Sequence, residues 1–324
     1  MVFGKNSDTP ASLLAAQGMH LGMKQQEEHR RRSVTDLVTF LLCPRYARQF
    51  SQEHYPAQTP ATVLGHILHR TIKHLYDRYH LELEAGNNSW LPDEEMIREE
   101  CQMAENAVRA QGLPRLSLQQ QTQLQRILTT FHALEASTFY PRIQAAEVSV
   151  EWIWKEAPGG PLLLEGKVDV VVEEHLDLAS GIALWDYKTT RRPDPGKEMQ
   201  YYQWQMDLYA LLYQRTYGVK PQGTVLYFMG ELNHAHLIHR PESAVLRLPA
   251  DPQREQRTLD LLRWALEQEL ICRANSQWNP PSPEQVPERL CRHCLIRWSC
   301  PSVHFSFPWQ NTMQQNQELN GVDL

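Results

Sequence analysis

The sequence predicts an α/β protein. Helical periodicity fills the N-terminal half, two-residue alternation replaces it after about residue 145, and a strong amphipathic helix then sits between strands. The chain has 324 residues, 42% apolar and 22% charged, enough for one large or two ordinary domains with a real core. Residues 1–32 carry no periodicity and end in His29-Arg30-Arg31-Arg32, the pattern of a solvated, flexible tail. Residues 33–80 read as N-terminal helices. Ser33 and Asp36 cap the first, which carries Leu37, Phe40 and Leu41 at helical spacing and stops at Pro44, leaving Cys43 at the break. The second, residues 62–79, has an apolar stripe (Leu64, Leu68, Ile72, Leu75, Tyr79) and a basic one (His66, His69, Arg70, Lys73). Residues 81–145 form a helical insertion with helices at 92–111 and 117–139, separated by Gly112-Leu113-Pro114.

Residues 146–250 hold the core. Val148, Val150, Trp152 and Trp154 alternate with Glu147, Ser149 and Glu151; a turn at residues 157–161 leads to a strand at 162–174, and another follows at 182–188. A helix at 199–217 ends at Gly218, and more strand lies at 224–229 and 236–240. In residues 251–308, Asp251-Pro252 opens a helix reaching Ala274, and a Pro-rich segment leads to a cysteine cluster; residues 309–324 are a polar tail.

With 32 Lys+Arg against 38 Asp+Glu the net charge is −6, which argues against coating nucleic acid by bulk charge but leaves room for local basic patches and metal-bridged phosphates. No stretch approaches the roughly 18 apolar residues of a membrane span, and the N-terminus lacks a charged segment followed by an apolar one. The expectation is a cytoplasmic protein without membrane contact. Six cysteines in such a chain suggest metal ligands before disulfides.

The sharpest chemical signal is Asp169 in EGKVDVVVEE followed by Asp186-Tyr187-Lys188 in ALWDYKTT. Strand residues two apart share a face, so Asp186 and Lys188 project together, and a neighbouring strand can set Asp169 beside Asp186. Two converging carboxylates repel each other, and a hard cation such as Mg or Mn relieves that. Lys188 then sits at the edge of the metal site, where an ammonium orients an attacking water or stabilises charge growing on a phosphate. A bare D-x-K is more often an ordinary ion pair. Here it has company: Glu147 starts the preceding strand, Gly166 comes just before Asp169, and Gln205 and Tyr209 share a helix face.

Gly65-xxx-His69, Glu147, Gly166-xx-Asp169, Asp186-x-Lys188 and Gln205-xxx-Tyr209, in that order, resemble the PD-(D/E)xK nuclease superfamily, in its RecB-like branch with the AddB nuclease domain and CRISPR-associated adaptation nucleases. The resemblance implies a restriction-endonuclease-like core, a central mixed sheet flanked by helices. It implies Mg or Mn bound by His69, Asp169, Asp186 and the Tyr187 carbonyl, and catalysis by Asp169, Asp186 and Lys188 with Glu147. Gln205 and Tyr209 would contact DNA or brace the site. Glu151 and Glu165 stay open as alternatives to Glu147, because one sequence leaves strand register open, and His66 as the alternative to His69.

Cys291-x2-Cys294-x5-Cys300-Pro301 is the second strong signal: two thiolates two residues apart chelate one metal or cluster and a third nearby completes a clamp. Cys43, before Pro44-Arg45, is the candidate fourth ligand. The set resembles the iron-sulfur staple of the same branch, implying a 4Fe-4S cluster that ties the two ends of the chain together. Structural Zn, with four Cys or with His293 substituting, and unligated thiols are the alternatives; Cys101 and Cys272 fall outside the pattern.

Arg45, Arg48, Arg70, Lys73, Arg191, Arg192, Arg289, Arg292 and Arg297 are placed to line a phosphate track, and Tyr201, Tyr202 and Trp204 to stack on unpaired bases, although such aromatics more often belong to a core. The expected function is a metal-dependent deoxyribonuclease, an exonuclease on single-stranded or frayed ends, in DNA repair, recombination or CRISPR spacer acquisition beside a helicase or integrase. A catalytically silent DNA-end-binding scaffold subunit and a zinc-stapled RNA-binding protein are the competing expectations.

Overall fold

A computed structural model of the protein describes residues 30–51, 60–176, 179–234, 237–282 and, with interruptions, 285–302. The chain order is β1 (Arg30–Ser33), α1 (Val34–Leu42), α2 (Pro44–Ser51), α3 (Pro60–Glu84), α4 (Glu94–Ala110), α5 (Leu118–Phe139), β2 (Ile143–Trp154), β3 (Leu162–Leu176), β4 (Ala179–Lys188), α6 (Lys197–Tyr217), β5 (Gly223–Phe228), β6 (Val245–Pro249) and α7 (Pro252–Ala274). The strands form one mixed sheet. β3 is its spine: one edge pairs antiparallel with β2, while the other is shared between β1, parallel, and β4, antiparallel. β4 continues to β5 in parallel after crossing over through α6, and β6 closes the sheet antiparallel to β5.

Alternation along the strands feeds a separate apolar core on each face. Val170, Val172, Trp185, Tyr187 and Tyr227 face α3, α4 and α5, while Val171, Leu184, Leu226 and Phe228 face α1, α6 and α7. The helices of residues 81–145 thus share one face of the sheet with α3. Phe131 of α5 meets the Tyr187 and Tyr227 rings edge-on, at centroid distances of 6.1 and 5.6 Å. Ser33 and Asp36 form the expected capping box of α1. Among the described residues no helix is long and apolar enough to cross a membrane.

The structure departs from the sequence reading in several places, among them a helix at Pro44–Ser51 where the sequence reading has a break. Arg30–Ser33 is a strand and not tail: it pairs with Leu162–Glu165, and Arg32 Nη2 lies 2.6 Å from Glu269 Oε1 of α7. The strand holding Glu147 starts at Ile143. No strand forms at 237–240; a 3-10 turn occupies Met229–Leu232, and the sixth strand lies at Val245–Pro249. Residues 1–29 and 309–324, as well as Arg289, Arg292 and His293, lie outside the described residues.

Packing of this kind leaves a pH signature. His132 of α5 is buried, with Nδ1 donating to the Leu128 carbonyl at 2.7 Å and Nε2 facing the Tyr140 hydroxyl. Burial pushes its pKa down to about 4, against a weaker upward pull from the Leu128 carbonyl. The unfolded chain thus takes up this proton more readily, so the stability tied to neutral His132 is complete above its ordinary value near 6.5 and is lost as pH falls toward 4, by up to about 3 kcal/mol. Urea unfolding at pH 7.5 and 4.5 should show a smaller acid loss for His132→Gln than for the wild type; equal losses would contradict this.

Candidate active site

β3 changes partners at one point. Its edge pairs with β1 up to Glu165 and with β4 from Val170 onward, so residues 166–169 face a fork between two strands. Extending the β3–β4 register one step beyond Val170↔Trp185 sets Asp169 opposite Asp186. The Tyr187 amide donates to Asp169 Oδ2 at 2.8 Å. His69 of α3 reaches in from the other core: Nδ1 lies 3.0 Å from Asp169 Oδ1 and Nε2 3.0 Å from the Tyr187 carbonyl oxygen. Both neighbours are acceptors, which suits an imidazolium with two N–H donors. Burial opposes that charge, but Asp169, by charge and hydrogen bond, and then Asp186 outweigh it, so His69 is pushed up to about 9. Asp169 is held below the usual carboxylate range: His69, the Tyr187 amide and Lys188 together overcome its burial.

Asp186 and Lys188 stand side by side, as alternation requires. Lys188 Nζ is 2.5 Å from Asp186 Oδ2, donates to Gln205 Oε1 at 2.7 Å and lies 4.9 Å over the Tyr202 ring. Burial works against the ammonium, and Asp186 chiefly restores it, leaving Lys188 charged with its pKa raised. Burial pushes the Asp186 carboxyl up; Lys188 pulls against this, and the Asp169 charge tips the balance upward. Gln205 Nε2 in turn donates to the Tyr209 hydroxyl at 3.4 Å. Tyr209 packs directly on Gly166, where a Cβ would stand 2.8 Å from Tyr209 Cε1. At Gly65 a Cβ would meet only Thr189 Cγ2, at 3.9 Å, so that glycine is not required by packing.

Glu147 sits across from Asp169 in the β2–β3 register, between the Ala146↔Val170 and Val148↔Val168 pairs, with φ at +53°. This is the left-handed region that a glutamate rarely adopts, and such strain collects at functional sites. Its carboxylate meets Lys167 Nζ at 2.8 Å, and Glu147, His69, Asp169 and Tyr187 line one small pocket. Glu151 and Glu165 pair with each other instead; Glu165 is four residues from Asp169, about 13 Å along the strand. His66 is exposed, and the contact belongs to His69. Lys167, as the partner of Glu147, was missed in the sequence, although it lies two residues before Asp169 where strand periodicity points.

The site's chemistry fits a hard divalent ion. Asp186 Oδ2 is buried against the Lys188 ammonium, 2.5 Å away. Two carboxylates and one carbonyl are oxygen donors of the kind Mg or Mn takes, and His69 would join them only as neutral imidazole, with its proton displaced. Among the described residues, however, no three His, Cys, Asp or Glu side chains close to metal-ligating distance.

Cys43, Cys291, Cys294 and Cys300 line one pocket, with Pro280, Pro281 and Tyr46. Burial pushes the Cys43 thiol up to about 11, and the Cys294 and Cys300 thiols push the same way. Arg45 donates to the Ser299 carbonyl at 2.9 Å and so ties the segment after Cys43 to the one before Cys300. Lys73 is paired with Asp77, and Arg297 stacks on Trp298 at 4.6 Å. Arg70 is half-buried, and its Nε has no hydrogen-bond partner. Tyr202 is buried, and Tyr201 and Trp204 pack against the same core.

No curated protein sequence shows significant similarity to the chain. A crystal structure from Eubacterium rectale, named a candidate exonuclease, superposes with a TM-score of 0.48 over 90% of this chain and 98% of its own at 12% identity, a likeness too loose to argue from. The sequence pattern of the PD-(D/E)XK nuclease superfamily matches residues 31–301, and the chain belongs to that superfamily.

Proposed function

We propose that the protein is a metal-dependent deoxyribonuclease of the RecB-like type, an exonuclease on single-stranded or frayed DNA ends. It would serve DNA repair, recombination or CRISPR spacer acquisition in the cytoplasm, beside a helicase or integrase. The reading rests on one observation, the convergence of His69, Asp169, Asp186 and the Tyr187 carbonyl with Lys188 at their edge. These groups would hold Mg or Mn, with Glu147 opposite Asp169; such an ion polarises a phosphodiester and acidifies water. The protein's own residues supply the remainder. Lys188, fixed by Asp186 and Gln205, presents an ammonium that orients the attacking water and stabilises charge growing on the phosphate. Gln205 and Tyr209 brace it, and Arg70 and Arg191 contact the DNA.

For the cysteine pocket we propose a 4Fe-4S cluster on Cys43, Cys291, Cys294 and Cys300, with structural zinc as the alternative. Crowded thiolates repel one another, and a soft metal centre removes that cost. Protein purified without oxygen should be brown, contain iron and acid-labile sulfide, and shorten end-labelled single strands with Mg or Mn but not with EDTA. Cys294→Ala should lose the colour. Zinc in place of iron would overturn the cluster, and a cluster-loaded protein that never cleaves would point to the silent end-binding subunit.

A further inference from the structure

The loop after Lys188 is fastened at one place. The Gly230 amide donates to the Thr190 carbonyl at 3.2 Å, and the Arg192 amide to Glu231 Oε1 at 2.9 Å. A Cβ on Gly230 would stand 2.5 Å from Thr190 C and 2.6 Å from Arg191 N, so only glycine admits this approach. Gly230 belongs to the buried turn Met229–Leu232, which packs on α5. Arg191 is therefore anchored on the core, three residues beyond Lys188 and within about 11 Å of it by chain length.

A histidine links to it there, and a second arginine lies close by. The Arg191 guanidinium donates to His234 Nε2 at 3.2 Å, and the adjacent Asn233 accepts from Arg126 of α5 at 3.5 Å. Arg191, His234 and Arg126 come from three different segments, and all are exposed. Glu231, the carboxylate in this turn, is engaged by the Arg192 amide. The guanidiniums of Arg126, Arg191 and Arg192 outnumber the Glu231 carboxylate and create a local positive field in a chain of net charge −6.

We propose that this rim holds successive backbone phosphates of a DNA strand beside the active site, so that α5 takes part in gripping substrate. The proposal rests on the nuclease reading. Guanidinium forks match phosphate oxygens, and a rim running from the catalytic loop to α5 suits a polyanion better than a single small ion. Contacts of this kind fix the strand's position without reading its bases.

The test is anisotropy binding of a short fluorescein-labelled single strand in EDTA, over a series of salt concentrations. Arg126→Gln and Arg191→Gln should each weaken binding by up to about fivefold and lower the slope of log K against log salt by about 0.7. Arg257→Gln, exposed on α7 at the end of the sheet away from Lys188, should change neither. Unchanged affinity and slope in both rim variants, the same loss in Arg257→Gln, or no binding by the wild type would overturn the rim. Binding in EDTA requires no turnover, so a wild type that binds through the rim yet never cleaves with Mg or Mn would instead overturn the nuclease reading.

Discussion

Lys188→Met should slow cleavage of end-labelled single strands by a factor of about 10² to 10⁴, the range lost when one positioned proton-transfer or charge-stabilising group is removed. The variant keeps an apolar stem over the Tyr202 ring but removes the ammonium 2.5 Å from Asp186. Asp186, 4% exposed, is then left without its counter-charge, and stranding one member of a buried pair costs about 3 to 5 kcal/mol. Loss of activity and loss of stability are thus both expected, and they separate in a second variant. Asp186→Asn combined with Lys188→Met removes both charges, so urea unfolding should show much of the stability restored while cleavage stays absent. Lys188→Arg should not rescue the rate, because a planar guanidinium cannot occupy the slot between Asp186, Gln205 and Tyr202 in place of a compact ammonium. A rate within about threefold of wild type for Lys188→Met would remove Lys188 from the chemistry.

The parts of this site that could be read from sequence are those carried by short spacings. Asp186 and Lys188 share a side because strands alternate, and Gln205 and Tyr209 share a side because a helix repeats every 3.6 residues. What could not be read depends on pairing between distant segments. β1 has four residues, three of them arginine, and its parallel partner β3 lies far along the chain, so neither propensity nor a hairpin turn announces it. That strand creates the fork in which Asp169 lies. The choice of Glu147 over Glu151 or Glu165 likewise needs the β2–β3 register, which places Glu147 opposite Asp169 in a backbone conformation that no propensity for glutamate suggests. His69 differs: the order of motifs singled it out on its helix, and the structure supplies two acceptors for it.

Gly166→Ala should damage both the fold and the chemistry. The new methyl would lie 2.8 Å from Tyr209 Cε1 and 3.1 Å from Val34 Cγ2, both buried, and overpacking of that kind costs about 1 to 3 kcal/mol. The strain has a path to the chemistry. Tyr209 must shift, its hydroxyl is the partner of Gln205 Nε2, and Gln205 Oε1 holds Lys188. A displacement of the ring therefore loosens the ammonium, and cleavage should fall at least about tenfold, a transition-state loss near 1.4 kcal/mol. Gly65→Ala is the control: its methyl meets only Thr189 Cγ2 at 3.9 Å, so inside α3 it should hold or raise stability. A double-mutant cycle tests the path. Tyr209→Ala vacates the space, so adding Gly166→Ala to it should cost little more, a coupling of about 0.5 to 3 kcal/mol. If the two losses simply add, in unfolding and in rate, Gly166 does not act through Tyr209, and the line from β3 to Lys188 is broken.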